Sequence, residues 1–244
     1  MGSAADHSSE HDDQLQASYQ QLAQLASSLA HEIKNPLSVI RMNMELLEED
    51  LGELSGPHDQ RVLRKMGVVK DQCTRLEKLL NDFIKFARMG ELELVAGNLN
   101  EQVDRVLDLF APQAQEQSVE IVRYLDNKLA SIRMESQTLY AALVNLVKNA
   151  LEAMPNGGEL TVITRLTRDG VALDLIDSGC GMEASTAVKM FDPFFTTKES
   201  GSGLGLLLAR RVVEAHGGRI SVESEVGQGT KFTLEFPAPA RLAD

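Results

Sequence analysis

Long hydrophobic runs are missing from this sequence of 244 residues. No apolar stretch approaches the ~18 residues that a membrane-spanning helix needs, so no span is predicted. Positive charge is also scarce, because 24 lysines and arginines face 36 aspartates and glutamates, for a net charge of −12. This balance argues against nucleic-acid binding, which depends on basic patches.

Cysteine is nearly absent as well. Cys73 and Cys180 lie far apart and match no metal-ligand spacing, so we expect a reducing compartment and no disulfide framework. What remains is an ordinary globular composition, 43% hydrophobic and 25% charged. It is sufficient for one or two domains of roughly 150 residues each.

The N-terminal part of the chain carries two apolar stripes with helical spacing, separated by the turn LSGPHD. We expect two long helices to form an antiparallel hairpin over residues 15–96. Residues 1–14 are polar and are expected to be a disordered lead-in without a signal peptide. The first of these residues could have been added for expression. One hairpin buries its apolar face poorly, so two copies should form a four-helix bundle, which makes the protein a homodimer. The alternative is a hairpin packed on its own second domain. The stripes run through Leu15, Leu22, Leu25, Leu29, Ile33, Ile40, Met44, Leu47, Leu51 and Leu54, and then through Leu63, Met66, Val69, Cys73, Leu76, Leu80 and Phe83.

From about residue 97 the pattern changes to short strands alternating with helices. It predicts an α/β sandwich over 97–237, with one mixed sheet covered by helices on one face, and a tail at 238–244. Ser136 is a plausible N-cap for the second helix, and Arg168-Asp169-Gly170 predicts a hairpin turn. Helices are expected at 100–116, 136–154 and 204–218, and strands at 119–125, 129–134, 159–166, 171–177, 219–225 and 230–236.

The stretch SSLAHEIKNPL, residues 27–37, places a histidine beside a glutamate within the first helix. At ~100° per residue, His31 lies about 180° from the apolar stripe, on the side of Asn35, so it should be exposed. Neutral imidazole is nucleophilic at pH 7, and Glu32 could accept a proton or hold the other ring nitrogen. Pro36 should bend the helix near this pair. The alternative is an ordinary surface histidine.

Two asparagines share one face of the helix predicted at 136–154. Asn145 and Asn149 are four residues apart, and their amide oxygens are hard, neutral ligands that suit Mg²⁺. Two polar residues on a solvated face would give the same pattern. Lys148 lies between them and either reaches a phosphate or faces water.

DSGCGM, residues 177–182, follows a predicted strand. Asp177 at the strand end could accept a hydrogen bond from an exocyclic amine such as that of adenine, and Gly179 and Gly181 would let the backbone approach a flat ligand. An ordinary strand-to-loop turn is the alternative.

FDPFFTTK, residues 191–198, concentrates three of the chain's eight phenylalanines in one loop. Such a loop, with Phe194 and Thr197, suggests a hinge that closes on a ligand, or one that is simply anchored on the core. Lys198 adds a positive charge suited to a phosphate.

GSGLGL, residues 201–206, directly precedes a helix. Gly201, Gly203 and Gly205 permit tight turns around Leu204, and the free N–H groups of the helix start favour an anion, phosphate above all. The spacing is not that of a P-loop, and the position in the chain argues against a Rossmann site.

Taken in order, these five stretches resemble the H, N, G1, F and G2 boxes of sensor histidine kinases, over about residues 15–237. The wording of HEIKNPL and FFTTK is similar to the nitrogen-regulation-type subgroup. The resemblance implies an ATP-binding fold shared with gyrase and mismatch-repair ATPases, joined to a dimerising four-helix bundle.

The same resemblance assigns roles to individual residues. Asn149 matches the Mg²⁺ ligand, with Asn145 nearby, and Asp177 matches the adenine-reading aspartate. Residues from about 183 to 203 match a mobile lid over ATP. Asn35 matches the position that orients water when the partner is dephosphorylated.

The implied reaction is transfer of the γ-phosphoryl group of Mg²⁺–ATP to His31, with Glu32 as base, and then to an aspartate of a response-regulator receiver domain. The chain would be cytoplasmic, and compatible with a place in a larger membrane-anchored sensor. Two alternatives stay open. One is a gyrase-like ATPase clamp, against which the amide of Asn145 counts because such enzymes place a carboxylate base there. The other is a phosphatase-dominant scaffold.

Overall fold

The computed structural model of the chain describes residues 26, 29–30, 32–47, 59–87, 92–198 and 201–237. The chain divides into two compact units. The first holds the N-terminal helices together with Thr196–Leu204, and the second holds Met89–Phe195 and the chain from Gly205 onward. Within the described ranges, no helix is both long enough and apolar enough to cross a membrane.

The first unit is built on two helices. Helix α1 covers 32–47 and includes the described residues 26, 29 and 30, and α2 covers Asp59–Ala87. At 1.5 Å per residue, the 29 residues of α2 span about 43 Å. The prediction of two long helices is confirmed over these ranges, whereas residues 15–25 and most of the predicted turn lie outside the described residues.

On α1, the buried face differs from the predicted stripe. Leu29, Pro36 and Asn43 are buried at seven-residue spacing, together with Leu47. Met44, a member of the predicted stripe, is 46% exposed. The apolar arc of this helix is therefore wider than the part that the unit buries.

On α2, two apolar faces lie side by side. Leu79 and Phe86, seven residues apart, are buried. Met66 and Leu80 are 55% and 49% exposed, and Cys73 midway between them is exposed as well. We use the name apolar flank for six of the exposed apolar residues of the two helices: Leu37, Met44, Met66, Cys73, Leu80 and Ile84.

The short segment Thr196–Leu204 belongs to this helical unit. The Ser202 hydroxyl donates a 2.6 Å hydrogen bond to Oδ2 of Asp82 on α2. Leu204 is fully buried. The glycine-rich stretch therefore has packing of its own rather than being an open loop over its whole length.

The second unit alternates strands and helices, as predicted. Its elements are β1 (Val95–Gly97), α3 (Leu99–Glu116), β2 (Val119–Leu125), β3 (Ile132–Met134), α4 (Ser136–Glu152), β4 (Gly158–Leu166), β5 (Gly170–Asp177), α5 (Ala184–Lys189), α6 (Gly205–Ala215), β6 (Arg219–Glu225) and β7 (Gly229–Pro237).

Five strands form one mixed sheet in the order β2-β4-β5-β7-β6. β2 and β4 are parallel, with Val119 opposite Gly158, and the other pairs are antiparallel. The predicted hairpin between β4 and β5 is confirmed. β3 was predicted within a single sheet, and this is wrong: it pairs with the unpredicted β1 in a separate two-stranded sheet.

The sheet presents an apolar face to the helices and a polar face on the other side. Leu160, Leu173 and Leu234 join the main core together with residues of α3, α4 and α6. The polar face includes Asp174, which accepts hydrogen bonds from Arg165 and Thr233. Strand alternation thus produces the predicted sandwich, with its helices on the apolar face.

Helix α4 begins one residue away from the predicted cap. The N-cap is Glu135, whose carboxylate accepts hydrogen bonds from the backbone N–H groups of Gln137 and Thr138 at 3.1 and 2.7 Å. Ser136, predicted as the cap, is the first helical residue. The longer glutamate side chain satisfies two free helix-terminal donors at once, which a serine does not.

Candidate functional site

Asp177 lies at the C-terminal end of β5 and is only 4% exposed. Its Oδ1 accepts hydrogen bonds from the backbone N–H groups of Gly179 (2.9 Å) and Thr230 (3.2 Å). No described residue donates to Oδ2. Burial raises the pKa of the Asp177 carboxyl group, and the two N–H donors oppose that rise. The side chain is therefore rigidly held, with one oxygen available to a ligand donor.

The glycines that follow Asp177 are required by the protein's own packing. A Cβ on Gly179 would lie 2.6 Å from the carbonyl oxygen of Ala153, and Gly181 has a φ of 63° and would collide with the backbone of Glu225. The backbone N–H of Cys180 also donates to Ala153 O at 3.1 Å. Hence these glycines allow the loop to pack closely between the end of α4 and the β6–β7 hairpin. Their contact with a flat ligand stays a prediction.

The asparagine face of α4 adjoins the start of α6. Asn145 Oδ1 lies 3.6 Å from the position that a Cβ of Gly205 would occupy. Asn149 follows one turn later and is half-buried. Lys148 is 48% exposed, and its Nζ lies 3.8 Å from Oε1 of Glu152, a distance at which an exposed ion pair contributes little. The structure thus brings Asn145 next to the first residue of α6.

The phenylalanine-rich loop is anchored at its first phenylalanine. Phe191 packs against the core, and the guanidinium carbon of Arg210 on α6 lies 5.5 Å from its ring centroid. Phe194 adopts a left-handed φ of 62°, which marks a sharp reversal of the chain. Thr197 and Lys198 are exposed. The anchored end belongs to the second unit, whereas Thr197 and Lys198 group with the helices.

The glycine-rich stretch is divided between the two units. Gly201, Gly203 and Leu204 belong to the helical unit, while Gly205 opens α6 in the sandwich. Gly203 has a φ of 68°, a conformation that favours glycine. Within the sandwich, the structure therefore places Asn145 beside the helix start at Gly205, and Asp177 lies at the end of β5 in the same unit.

A cavity of about 340 Å³ also borders Asp177. It opens toward the β6–β7 hairpin and is lined by Glu223, Gln228 and Lys231 among others. Asp177 and its hydrogen-bond partner Thr230 line this cavity, whereas Asn145 and Asn149 do not.

The proposed phosphoacceptor His31 lies outside the described residues. Its neighbours on the same side of α1, Asn35 and Ser38, are exposed, and Glu32 is half-buried. Pro36 is buried, and the helix continues on both sides of it. The predicted bend near Glu32 stays a prediction.

Several residues that shape the site were missed by sequence reasoning. Thr230 reaches Asp177 only through the antiparallel pairing of β5 and β7. Glu135 and His216 meet across 81 positions of the chain, and Arg210 was considered only as part of a helix. The available signal was a charged residue just before α4 and a histidine just after α6, and neither spacing identifies a partner.

Two family models match the chain. Residues 21–92 match "His Kinase A (phospho-acceptor) domain", and residues 134–240 match "Histidine kinase-, DNA gyrase B-, and HSP90-like ATPase". Among curated proteins, the signal transduction histidine-protein kinase AtoS of Escherichia coli K12 is 35% identical over 217 residues, which is 88% of this chain and 35% of AtoS. The chain spans less than half the length of AtoS, of sporulation kinase E of Bacillus subtilis and of ZraS of Klebsiella oxytoca, three curated relatives that it matches.

Solved structures agree with these matches. The catalytic domain of histidine kinase ThkA is 31% identical, with a TM-score of 0.55 over 61% of this chain and 100% of that domain. ThkA in complex with the response regulator protein TrrA matches 100% of this chain and 70% of that one, with a TM-score of 0.75. At 24% identity, this second likeness concerns the fold alone. A phosphoacceptor-type helical hairpin followed by this ATPase-type sandwich places the chain in the histidine kinase family.

Proposed function

We propose that this chain is the catalytic core of a sensor histidine kinase, which transfers the γ-phosphoryl group of ATP to His31 and then to an aspartate of a response regulator. The observation that carries the proposal is Asp177: a buried carboxylate with one oxygen held by two backbone donors and the other directed to no described donor. Such an acceptor suits the exocyclic amine of adenine.

The phosphate end of the nucleotide would lie near the start of α6. The free N–H groups and dipole of this helix favour phosphate oxygens, and Gly205 leaves space beside Asn145. The lid segment with Phe194, Thr197 and Lys198 would close over the triphosphate together with Gly201, Gly203 and Leu204. Lys148 would contribute positive charge to the same region.

Magnesium is part of the proposal. The described residues contain no group of three or more acidic, histidine or cysteine side chains that could hold a metal. Mg²⁺ commonly takes one or two protein oxygens and completes its shell with phosphate oxygens and water. Asn149 would supply that oxygen, with Asn145 beside it. The ion would neutralise charge on the phosphates and leave the protein's own side chains to orient them.

The phosphoryl transfer needs a nucleophile and a base. An imidazole nitrogen of His31 would form the new P–N bond as the bond between the γ-phosphorus and the bridging oxygen of ADP breaks. Glu32 would take the ring proton. Asn35, exposed on the same side of α1, would orient water when the phosphorylated partner is hydrolysed, which would give the protein phosphatase activity as well.

A second copy of the chain would cover the apolar flank. The flank combines seven-residue spacing on α2 with half-exposed leucine and methionine side chains, the pattern of a helix that packs against a further helix. Two hairpins would thus form a four-helix bundle in a homodimer.

The phosphoryl acceptor would be a receiver domain. Support comes from ThkA, a related kinase whose structure was solved in complex with a response regulator protein. The wording of HEIKNPL and FFTTK further supports assignment to the nitrogen-regulation-type subgroup. Since ATP and receiver domains would have to reach the site, the chain would act in the cytoplasm.

The test is incubation of the protein with Mg²⁺ and ATP labelled at the γ-phosphorus, beside His31→Gln. The wild-type protein should take up a label that is labile to acid and stable to base, and His31→Gln should take up none. Label that persists in His31→Gln would contradict the assignment. Steady ATP hydrolysis without a labelled protein, indifferent to that substitution, would favour an ATPase clamp instead.

A further inference from the structure

His216 is a buried histidine with both ring nitrogens engaged. It directly follows α6 and is 3% exposed. Nδ1 lies 2.7 Å from the carbonyl oxygen of Val212, and Nε2 lies 3.0 Å from the backbone nitrogen of Glu135, the N-cap of α4. No residue of the proposed reaction uses it.

These two contacts determine the protonation state of the ring. A carbonyl oxygen can only accept, so Nδ1 must carry a hydrogen. A backbone N–H can only donate, so Nε2 must carry a lone pair. The contacts are therefore satisfied only by the neutral imidazole with its proton on Nδ1. A proton added to Nε2 would place two donors against each other in a buried site, where a lost hydrogen bond is costly.

The hydrogen bond between His216 and Glu135 joins α4 and α6 at one end of this antiparallel pair. At one end His216 meets Glu135, and at the other Gly205 meets Asn145. The ten residues from Glu135 to Asn145 rise about 15 Å, and the eleven from Gly205 to His216 rise about 16 Å. Because these lengths match, the two contacts are compatible with a single axial register of the antiparallel helices.

We propose that His216 is a positioning residue, which in its neutral form holds α4 in the register needed for nucleotide binding, so that protonation of the ring weakens that binding. The proposal deepens the nucleotide site described above and rests on it. His216 acts through Glu135 and α4 and contacts no ligand itself.

Two carboxylates and one aromatic ring lie near the His216 ring. The Glu135 carboxylate lies on the α4 side of the ring, within range of an electrostatic interaction with it. From the β7 side, the ring of Phe236 meets the imidazole edge-on at a centroid distance of 6.4 Å and offers no charge. Glu214 lies two residues before the histidine on its own helix, and its carboxylate is engaged by Arg210 at 2.7 Å. None of these groups supplies an acceptor to a protonated Nε2.

The first experiment reads the ring directly. In the intact 244-residue chain, long-range ¹H–¹⁵N NMR of the His216 ring should show a proton on Nδ1 and none on Nε2 at neutral pH. A ring protonated on Nε2 would overturn the proposal, whatever the protein does with nucleotides.

The second experiment measures ATP affinity between about pH 7.5 and pH 5.5 in the wild type, His216→Gln and His216→Phe. Glutamine can donate to Val212 O and accept from the Glu135 N–H without titrating, so it should bind within about threefold of the wild type at pH 7.5. The wild type should then lose about five- to tenfold more affinity than His216→Gln on acidification, as expected when one hydrogen bond is lost. His216→Phe should bind ATP weakly at both pH values, because phenylalanine makes neither hydrogen bond. The titration of ATP itself is common to all three and cancels.

Glu135→Gln serves as the matched control, because it keeps the backbone N–H and removes the nearby carboxylate. The acid-induced loss should persist in this variant, and its disappearance would assign the effect to Glu135. Parallel pH profiles for the wild type and His216→Gln would also overturn the proposal. Hydrogen exchange of the His216→Phe variant distinguishes a shifted helix from global unfolding. Faster exchange confined to the α4 amides would indicate a shifted helix, and faster exchange throughout the sandwich would indicate unfolding. A wild-type protein that binds no nucleotide at any pH would refute the proposed function. In that case, NMR of the His216 ring and hydrogen exchange of the α4 amides on acidification would still decide whether His216 positions α4.

Discussion

At the scale of single residues, two buried aspartates on β5 show what distinguishes a structural carboxylate from one that is available to a ligand. Asp174 faces the polar side of the sheet and is bonded by side chains, from Arg165 at 3.2 Å and Thr233 at 2.7 Å. Asp177, three residues later, is bonded only through backbone N–H groups and only at Oδ1. Both carboxylate oxygens of Asp174 therefore accept hydrogen bonds from side chains of the protein, whereas Oδ2 of Asp177 accepts none from a described residue.

Replacement of Asp177 by asparagine should weaken ATP binding about ten- to hundredfold, the effect expected when a charged acceptor is replaced by a donor facing the adenine amine. The amide oxygen can still accept from Gly179 and Thr230, so the loop should keep its conformation. Isothermal titration with ATP measures the loss.

Asp174→Asn is the matched control on the same strand. It removes a buried charge opposite Arg165 and should lower the free energy of unfolding while ATP affinity stays within about twofold. Equal losses of affinity in both variants would show that any change in β5 disturbs the site, and would contradict the role given to Asp177.

Glu135 makes the stability of the second unit depend on pH. Burial alone would raise the pKa of its carboxyl group, but hydrogen bonds from Thr138 and Gln137 outweigh burial and lower the pKa. A lowered pKa means stabilisation that is present above the unfolded-state pKa of about 4.3 and is lost as the pH falls through the folded-state value.

Glu135→Gln should therefore reduce the free energy of unfolding at pH 7 by about 0.5–1 kcal/mol, the usual contribution of an N-cap. The difference from the wild type should shrink as the pH falls below about 4. Urea unfolding of both proteins at a series of pH values checks this, and a gap that grows on acidification would contradict it.

At the scale of elements, helical periodicity predicted α1 and α2 and an apolar stripe on each, but not how one hairpin divides that stripe between buried and exposed residues. Met44 and Leu80 both belong to the predicted stripe, and both are about half exposed. Periodicity reports the whole apolar arc of a helix and cannot divide it between a neighbour in the same chain and one in another chain. The surplus apolar surface is therefore informative about assembly.

Leu80→Glu should convert the proposed dimer to a monomer, because it places a charge at the centre of the apolar flank. Thr74→Glu is the control: Thr74 is exposed on the same helix, about 120° around it from Leu80 at ~100° per residue, and its hydroxyl donates a hydrogen bond to the carbonyl of Lys70. Sedimentation velocity should show a dimer for the wild type and Thr74→Glu. A wild-type monomer, or a Leu80→Glu dimer, would contradict the proposed bundle.

Strand prediction succeeded where patterns are local. Alternation and turn residues located β4, β5 and their hairpin within a residue of the observed bounds. β1, only three residues long, carries too little pattern to be recognised, and without it β3 was assigned to the wrong sheet. The N-cap was misplaced by one residue because Glu135 caps through a long side chain, which is less common than capping by serine.

At the scale of the whole molecule, the order of five short stretches predicted the two-part architecture and the family, while the contacts inside the site were beyond reach. Asn145 and Gly205 are 60 positions apart and Asp177 and Thr230 are 53 apart. Which atoms meet across such distances depends on strand register and helix packing, and these are properties of the complete fold. Residue types can be read from motifs, but hydrogen-bond partners such as His216 and Glu135 cannot.

The parallel pairing of β2 with β4 has a consequence for synthesis of the chain on the ribosome. Val119 pairs with Gly158, so β2 emerges without its sheet partner and must wait for about forty further residues. During that interval only α3, already made, can shelter it, and Arg123 is suited to hold the two together through Asp104 and Asp108 at 2.8 and 2.7 Å. The nascent α3–β2 pair would therefore be the first part of the sandwich to acquire order.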